Sequence, residues 1–291
     1  MKKLGKSLLL PVFAFALLVL MVGTATHRPA GRSAPDAAEC LRIIDEVNPY
    51  PNIVDHMYKV HEIAMDVVNA LTPQVRKRID YDLVYAASLL HDIGKMESLV
   101  TDESHLVIGG RMMRKLGYPK VAEIIEDHEI EKSFDPDGPL LEKEIVCFGD
   151  TRGMGNRTVG LATRMLDLYK RYGAKDNRDL AVTFSQSFVR YRLLEAKIRR
   201  SVAEKLEDVV PDDTFYRRVM NPLNSNRVKI VGDFNFWLPE DVSGDSITVR
   251  VSRGKYYYNL LDDGKPVIDP NEPSEAVSGG FYEKSNYFIV D

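Results

Sequence analysis

One stretch of the chain is rich in side chains that can bind a metal ion. The 291-residue sequence has six histidines, and five of them lie between positions 56 and 128. His91 and Asp92 are adjacent and follow the apolar run 83–90. An aspartate at a buried helix end needs a counter-charge, and a divalent cation supplies one. Imidazole and carboxylate ligands suit Fe, Mn, Co, Ni or Zn, so the donor types do not select the metal.

The composition excludes several other classes of protein. The two cysteines, Cys40 and Cys147, are too few for a disulfide scaffold or a structural zinc site. The formal net charge is -4 and the sequence has no basic stripe, so no nucleic-acid binding surface is evident. With 44% hydrophobic and 28% charged residues, the sequence is that of a folded globular protein.

The first candidate ligand lies on a predicted helix. Apolar side chains recur at helical spacing over 53–71, and His56 shares their buried face with Ile53 and Val60. His61 lies about 140° round the same helix from His56, so it is excluded as a ligand.

Further helices must position the remaining candidates. Helices are predicted at 83–90, 105–115, 120–129, 140–149, 159–172 and 178–208. We expect them to bring together His56, His91, Asp92, His105, His128 and Asp150.

The order of these residues resembles a known family. Leu89-Leu-His-Asp-Ile-Gly-Lys95 resembles the HDIGK signature of the HD superfamily of metal-dependent phosphohydrolases. The six candidates match that superfamily in order, and the segment from Asp150 through Arg152 and Arg164 is similar to its small HDIG-type branch. The resemblance covers about 45–200 and implies an all-α helical bundle.

The resemblance also implies roles for the candidate ligands. His56, His91, Asp92 and Asp150 would hold one ion. His105 and His128 match positions that the HD-type dinucleoside tetraphosphate hydrolases add for a second ion bridged by Asp92, which favours a binuclear centre.

Paired cations can activate water and stabilise the charge that develops at a phosphorus centre. Lys95 can reach a phosphate oxygen as a compact charge, and Arg152 is expected to do so with its guanidinium fork. The predicted activity is hydrolysis of a small phosphomonoester, pyrophosphate or nucleotide phosphate ester, with Asp92, Lys95 and Arg152 as catalytic residues.

Three alternatives stay open at this point. His105 has a structural interpretation, since its neighbour Ser104 caps a helix. His128 has the alternative of an exposed helix position. The whole domain has the alternative of a metal-stabilised binding protein without turnover.

The sequence pattern changes after Pro211. Strands are predicted at 228–231, 247–251, 255–261 and 286–290. Residues 226–291 resemble the glycogen-binding module of the AMP-activated kinase β subunit, which implies a small immunoglobulin-like antiparallel β-sandwich. The predicted fold class is therefore an all-α HD-type bundle followed by this sandwich.

The resemblance implies a carbohydrate site in the second domain. Trp237 matches a sugar-stacking position, and Asn286 is expected to keep a polar contact to a sugar. Pro266 and Asn259 replace the module's second tryptophan and its sugar-binding lysine. The alternative is an adaptor domain that recruits a protein and whose aromatic residues are structural.

The N-terminus has the pattern of an export signal. Residues 1–6 are cationic and 8–22 are apolar, so 1–25 is predicted to be a signal peptide or membrane anchor. Export is expected, with a cytoplasmic protein as the alternative if translation starts at Met21. The predicted order is completed by a linker at 26–38, the helical domain at 39–210, a linker at 211–225 and the sandwich at 226–291.

Overall fold

The computed structural model describes most of the chain beyond the N-terminal segment. The described residues are 32–130, 134–172, 178–223, 225, 227–235, 237–277 and 282–290. The predicted signal peptide or anchor, His27 and the first part of the linker at 26–38 lie outside the described residues. Within the described ranges, no helix is both long enough and apolar enough to cross a membrane.

Helices form the first two thirds of the described chain. In order they are α1 (Ala37–Val47), α2 (Pro51–Ala70), α3 (Pro73–Arg76), α4 (Tyr81–Leu90), α5 (Lys95–Ser98), α6 (His105–Lys115), α7 (Pro119–Glu126), α8 (Glu142–Arg152), α9 (Leu161–Tyr172), α10 (Arg178–Ser201) and α11 (Leu206–Val209). Side-chain caps fix several of their starts. Asp80 Oδ1 accepts hydrogen bonds from the main-chain N–H of Asp82 and Leu83 at the start of α4.

Most of the helices share one apolar core between residues 34 and 210, and α9 and α10 bury a smaller cluster of Leu161, Met165 and Phe188. Helix α4 lies at the centre of the larger core, since seven of its ten residues are buried. The predicted helix at 178–208 ends early, at Ser201. The main-chain N–H of Thr72 donates to the Ser201 carbonyl at 2.9 Å, and that of Ala203 donates to the Ala70 carbonyl at 2.8 Å. These bonds to the end of α2 replace further turns of helix.

The strands of the described chain pair antiparallel. A short hairpin follows α8, and the others come after α11; they are β1 (Gly153–Met154), β2 (Arg157–Thr158), β3 (Phe215–Met220), β4 (Val228–Gly232), β5 (Glu240–Asp241), β6 (Ser246–Val251), β7 (Gly254–Asp262), β8 (Lys265–Val267), β9 (Ser274–Ala276) and β10 (Lys284–Val290). The larger sheet has the order β5-β4-β7-β10-β9 with β8 beside β7, and β3 pairs with β6 in a second sheet.

Side chains from both sheets share one core, in which Val219 and Val249 of the small sheet meet Ile230 and Phe288 of the large one. A helical region followed by an antiparallel sheet-rich region confirms the predicted α-plus-β class. Strand β3 lies inside the segment that the sequence analysis assigned to a linker. Only Val219 of its six residues is buried, so the strand has no apolar alternation to reveal it.

Candidate metal centre

Five separate parts of the helical region contribute side chains to one cluster. Its members are His56 on α2, His91 and Asp92 after α4, His105 at the start of α6, His128 after α7, and Asp150 on α8. The structure thus brings together all six predicted donors. His128 is 2% exposed, so the alternative of an exposed helix position is wrong. Ser104 does cap α6, and the His105 side chain nevertheless faces the cluster.

The donor atoms form two groups that share one aspartate. His56, His91 and Asp92 form the first group, and Asp92, His105 and His128 form the second; within each group the donor atoms all lie within 4.8 Å of one another. Asp92 Oδ2 lies 3.4 Å from His91 Nε2 and 3.6 Å from His56 Nε2. Asp92 Oδ1 lies 3.4 Å from His105 Nε2. The carboxylate therefore faces His56 and His91 with one oxygen and His105 with the other.

Two main-chain carbonyls fix the orientation of the most buried rings. His91 Nδ1 donates to the Ser88 carbonyl at 2.9 Å, and His128 Nδ1 donates to the Ile125 carbonyl at 2.7 Å. These bonds leave the Nε2 lone pair of each neutral ring facing the cluster. His91 Nε2 is buried without a hydrogen-bond partner among the described residues. An unpaired lone pair beside a carboxylate oxygen fits a bound cation, which satisfies both.

The electrostatics hold both carboxylates ionised. Burial by itself would raise the pKa of Asp92, but the charges of His91 and Lys95 outweigh it and hold that pKa well below the usual value. Burial would also raise the pKa of Asp150. The hydrogen bond from His56 and the charge of Arg164 outweigh that effect, so the pKa of Asp150 is held well below its usual value.

The imidazoles are mostly held neutral. Burial lowers the pKa of His56 and His105, and burial together with repulsion from His91 lowers the pKa of His128 to about 4. The pKa of His91 is raised, because the charge of Asp92 outweighs the effect of burial. Ionised carboxylates and neutral imidazoles are the states that bind divalent metals.

Two glycines, Gly94 and Gly149, allow the segments that carry the metal-centre residues to pack closely against neighbouring helices. A Cβ at Gly94 would lie 2.2 Å from the His105 carbonyl oxygen and 2.7 Å from the Gly109 nitrogen. A Cβ at Gly149 would lie 2.9 Å from the Val60 carbonyl oxygen. Gly94 thus brings the turn after Asp92 against α6, and Gly149 brings the Asp150 segment against α2.

Two basic side chains, Lys95 and Arg164, contact the carboxylates of the cluster. Lys95 Nζ donates to Asp92 Oδ2 at 2.6 Å, and its side chain is 32% exposed, so it lies at the open edge of the site. Arg164 Nη2 donates to Asp150 Oδ1 at 3.1 Å, and its Nε donates to the Asp150 carbonyl at 3.2 Å. The sequence analysis assigned no role to Arg164, because the 14-residue separation from Asp150 gives no sign of the contact.

The expectation that Arg152 binds a phosphate is wrong. Its guanidinium is buried, with Nε donating to the Val159 carbonyl at 2.7 Å, Nη2 to Asp212 and Nη1 to Glu195 at 3.4 Å. The predicted helix ended at 149, whereas α8 continues through Arg152. Two residues of helix turn a side chain by about 200°, so Arg152 points away from Asp150.

The predicted sugar contact of Asn286 is also wrong. Asn286 is fully buried; its Oδ1 accepts from the Asp269 N–H at 2.8 Å, and its Nδ2 donates to the Asp269 and Glu272 carbonyls. Trp237 is partly buried, and its Nε1 donates to Asp233 Oδ1 at 3.1 Å. Sugar stacking on Trp237 stays a prediction.

Fold and site together define a helical domain built around a histidine and aspartate cluster that could hold a divalent metal. Comparison with known families matches residues 53–172 to the HD domain. The matched range contains all six cluster residues and ends before β3. This match supports the HD superfamily, whose members are generally metal-dependent phosphohydrolases. A search of curated proteins gave no match to the chain. The resemblance of the sheet region to a glycogen-binding module stays a prediction.

Proposed function

We propose that the protein is a metal-dependent phosphohydrolase that cleaves a small phosphate ester or nucleotide phosphate with two divalent ions bound. The observation that carries the proposal is the position of Asp92. Asp92 belongs to both donor groups, with Oδ2 facing His56 and His91 and Oδ1 facing His105. A buried His91 lone pair beside it has no partner among the described residues. The HD domain match over the same residues supports the same chemistry.

The cluster divides its donors between two positions. His56, His91, Asp92 and Asp150 would hold one ion, and Asp92, His105 and His128 would hold the other. Bound Fe, Mn, Co, Ni or Zn ions activate water as a nucleophile and stabilise negative charge on phosphate oxygens.

The chain's own residues supply orientation and charge. The carbonyls of Ser88 and Ile125 hold two imidazoles in the ligating tautomer. Lys95 lies at the open edge of the cluster with its ammonium against Asp92, where a phosphate oxygen approaching the site comes within reach of a compact positive charge. Arg164 helps to fix the Asp150 carboxylate, which also bonds His56 Nε2 at 2.9 Å.

The test combines metal analysis with phosphate release. Protein stripped with EDTA is reloaded with Mn²⁺ or Fe²⁺, and phosphate release is measured from p-nitrophenyl phosphate, nucleoside monophosphates and triphosphates, and dinucleoside polyphosphates. We expect turnover by the wild type and its loss in Asp92→Ala and His56→Ala. His61→Ala is the matched control, because His61 lies on the same helix outside the cluster and bonds Ser88 Oγ at 2.9 Å instead.

Two results would contradict the proposal. The first is a wild-type protein that binds metal but releases phosphate from none of these substrates. That result favours the alternative hypothesis, a metal-stabilised binding protein without turnover. Activity that survives Asp92→Ala places the chemistry at another site.

We also propose, from the sequence pattern, that residues 1–25 export the protein or anchor it to a membrane, and that the sheet region recruits a glycan or protein. N-terminal sequencing of the mature protein tests the first proposal. A start near residue 26 supports export, and a start at Met21 contradicts it.

A further inference from the structure

A buried charge network connects the sheet region to the end of helix α8. Asp212, just before β3, has a side chain that is 1% exposed. It accepts hydrogen bonds from the guanidinium of Arg152 on one side and from Arg250 Nη2 of β6, at 3.0 and 3.1 Å, on the other. The main-chain N–H of Thr214 adds a further bond at 3.1 Å. Asp212 thus pairs with two arginines, one from each region.

The arginine of the helical region lies two residues beyond Asp150. Arg152 binds Val159 twice: its Nε donates to the Val159 carbonyl at 2.7 Å, and its own carbonyl accepts from the Val159 N–H at 2.8 Å. These bonds close the β1–β2 hairpin. Gly153 of that hairpin lies against α2, where a Cβ would be 3.5 Å from His56 Cε1. The network therefore fixes the segment behind His56 as well as the end of α8.

A second connection reaches Asp150 through helix α9. Thr163 Oγ1 donates to Ser252 Oγ at 3.0 Å and lies 3.3 Å from the Tyr256 hydroxyl, so α9 is bonded to β7 and to the residue that follows β6. The next residue, Arg164, binds both the side chain and the carbonyl of Asp150. The first connection therefore reaches the helix that carries Asp150, and the second reaches the Asp150 carboxylate itself.

We propose that the sheet region is a structural part of the metal centre, and that Asp212 and Tyr256 are positioning residues for Asp150. Loss of the Asp212 charge would leave the buried Arg152 guanidinium with Glu195, at 3.4 Å, as its acidic partner, which favours its movement toward solvent and with it a shift of the α8 end. Loss of the Tyr256 hydroxyl would loosen the α9 connection. The proposal rests on the proposed function in one respect, that Asp150 ligates an ion.

The test measures metal binding and does not require turnover. Mn²⁺ is titrated calorimetrically into the metal-free full chain for wild type, Asp212→Asn and Tyr256→Phe. Asp241→Asn is the matched control, because Asp241 is an exposed aspartate of the sheet region whose contact is a surface pair with Lys229. We expect one of the two ions to bind about 10-fold or more weakly in Asp212→Asn, as for other partners that orient a ligand, and the other ion to change less.

Several outcomes would overturn the proposal. Unchanged affinity for both ions in Asp212→Asn and Tyr256→Phe contradicts it, and so does an equal weakening of both ions, which indicates general destabilisation. Partial recovery of the affinity in Asp212→Glu is expected, since the charge returns.

Hydrogen exchange of the metal-free protein tests the same support without any ion. If Asp212 positions Asp150, the amides of residues 148–152 exchange faster in Asp212→Asn than in Asp241→Asn. Equal exchange contradicts the proposal even if the wild type binds no Mn²⁺, a result that by itself would refute only the proposed function. If Asp212→Asn does not fold, Tyr256→Phe carries both measurements, because it removes a single oxygen atom.

Discussion

Gly94 allows the turn that carries Asp92 to touch helix α6, and replacing it with alanine tests that role. The added Cβ would lie 2.2 Å from the His105 carbonyl oxygen and 2.7 Å from the Gly109 nitrogen. Both neighbours are main-chain atoms, so no side chain can rotate to make room. The turn and α6 must separate, and His105 moves away from Asp92.

Gly110 provides a control with the same apparent overlap. A Cβ there would also lie 2.2 Å from another atom, but that atom is Oε1 of Glu126, and the next closest atoms, Cδ and Cγ at 2.5 Å, belong to the same flexible side chain. Rotation of Glu126 gives up its surface pair with Arg114, worth about 0–1 kcal/mol. Alanine inside α6 regains about 1 kcal/mol of helix propensity, so Gly110→Ala should be close to neutral.

The two substitutions are therefore expected to differ in stability by about 3 kcal/mol, the upper part of the range for overpacking. For a domain of about 150–250 residues, each kcal/mol shifts Tm by about 2–4 °C, so Gly94→Ala should melt about 6–12 °C below Gly110→Ala. Circular dichroism of the metal-free proteins measures this difference, and Mn²⁺ titration checks that only Gly94→Ala loses affinity. Equal melting temperatures would refute the close-approach argument.

Three further predictions concern buried polar groups. In metal-free folded protein the pKa of His128 is lowered from 6.5 to about 4, so between these pH values only the unfolded chain binds this proton. The free energy of unfolding should therefore drop by about 2 kcal/mol from pH 7 to pH 5 through this residue. Urea unfolding of His128→Gln should lack this pH-dependent drop. Lys197 Nζ binds Glu144 at 2.7 Å in the interior; Lys197→Met should lose about 3–5 kcal/mol in urea unfolding, and Lys197→Met with Glu144→Gln should lose less. Asn286→Ala should lose about 2 kcal/mol by the same assay, since it unpairs several main-chain groups, and an unchanged midpoint would contradict its structural role.

The donors of the metal centre could be predicted from the sequence because their chemistry resides in side-chain identity. Few residue types bind metals, and His56, His91, Asp92, His105, His128 and Asp150 occur in an order that resembles a known family. The groups that orient them could not be predicted in the same way. Two are main-chain carbonyls, at Ser88 and Ile125, which every residue possesses, so the sequence carries no mark of them.

The predictions that failed depend on phase and register. Arg152 was assigned to phosphate for its guanidinium fork, but α8 continues three residues beyond its predicted end, and the two residues of helix after Asp150 turn the Arg152 side chain by about 200°. Strand β3 was missed because its buried partner surface is supplied by β6, which is distant in sequence. Asn286 was assigned a sugar contact from the resemblance to the glycogen-binding module, and the sequence does not show that its side chain bonds the main chain of Asp269 instead.

The carbonyls of Ser88 and Ile125 have a consequence for how the protein would lose its ions. Each belongs to the last turn of a helix, α4 or α7, and helix ends are the parts that fray most readily. When such a turn unfolds, the imidazole that its carbonyl orients is free to rotate about its χ angles, and the metal centre loses a donor. The rate of metal dissociation would then depend on local unfolding of these two helix ends. A more stable last turn would therefore slow metal loss with no change in any ligand.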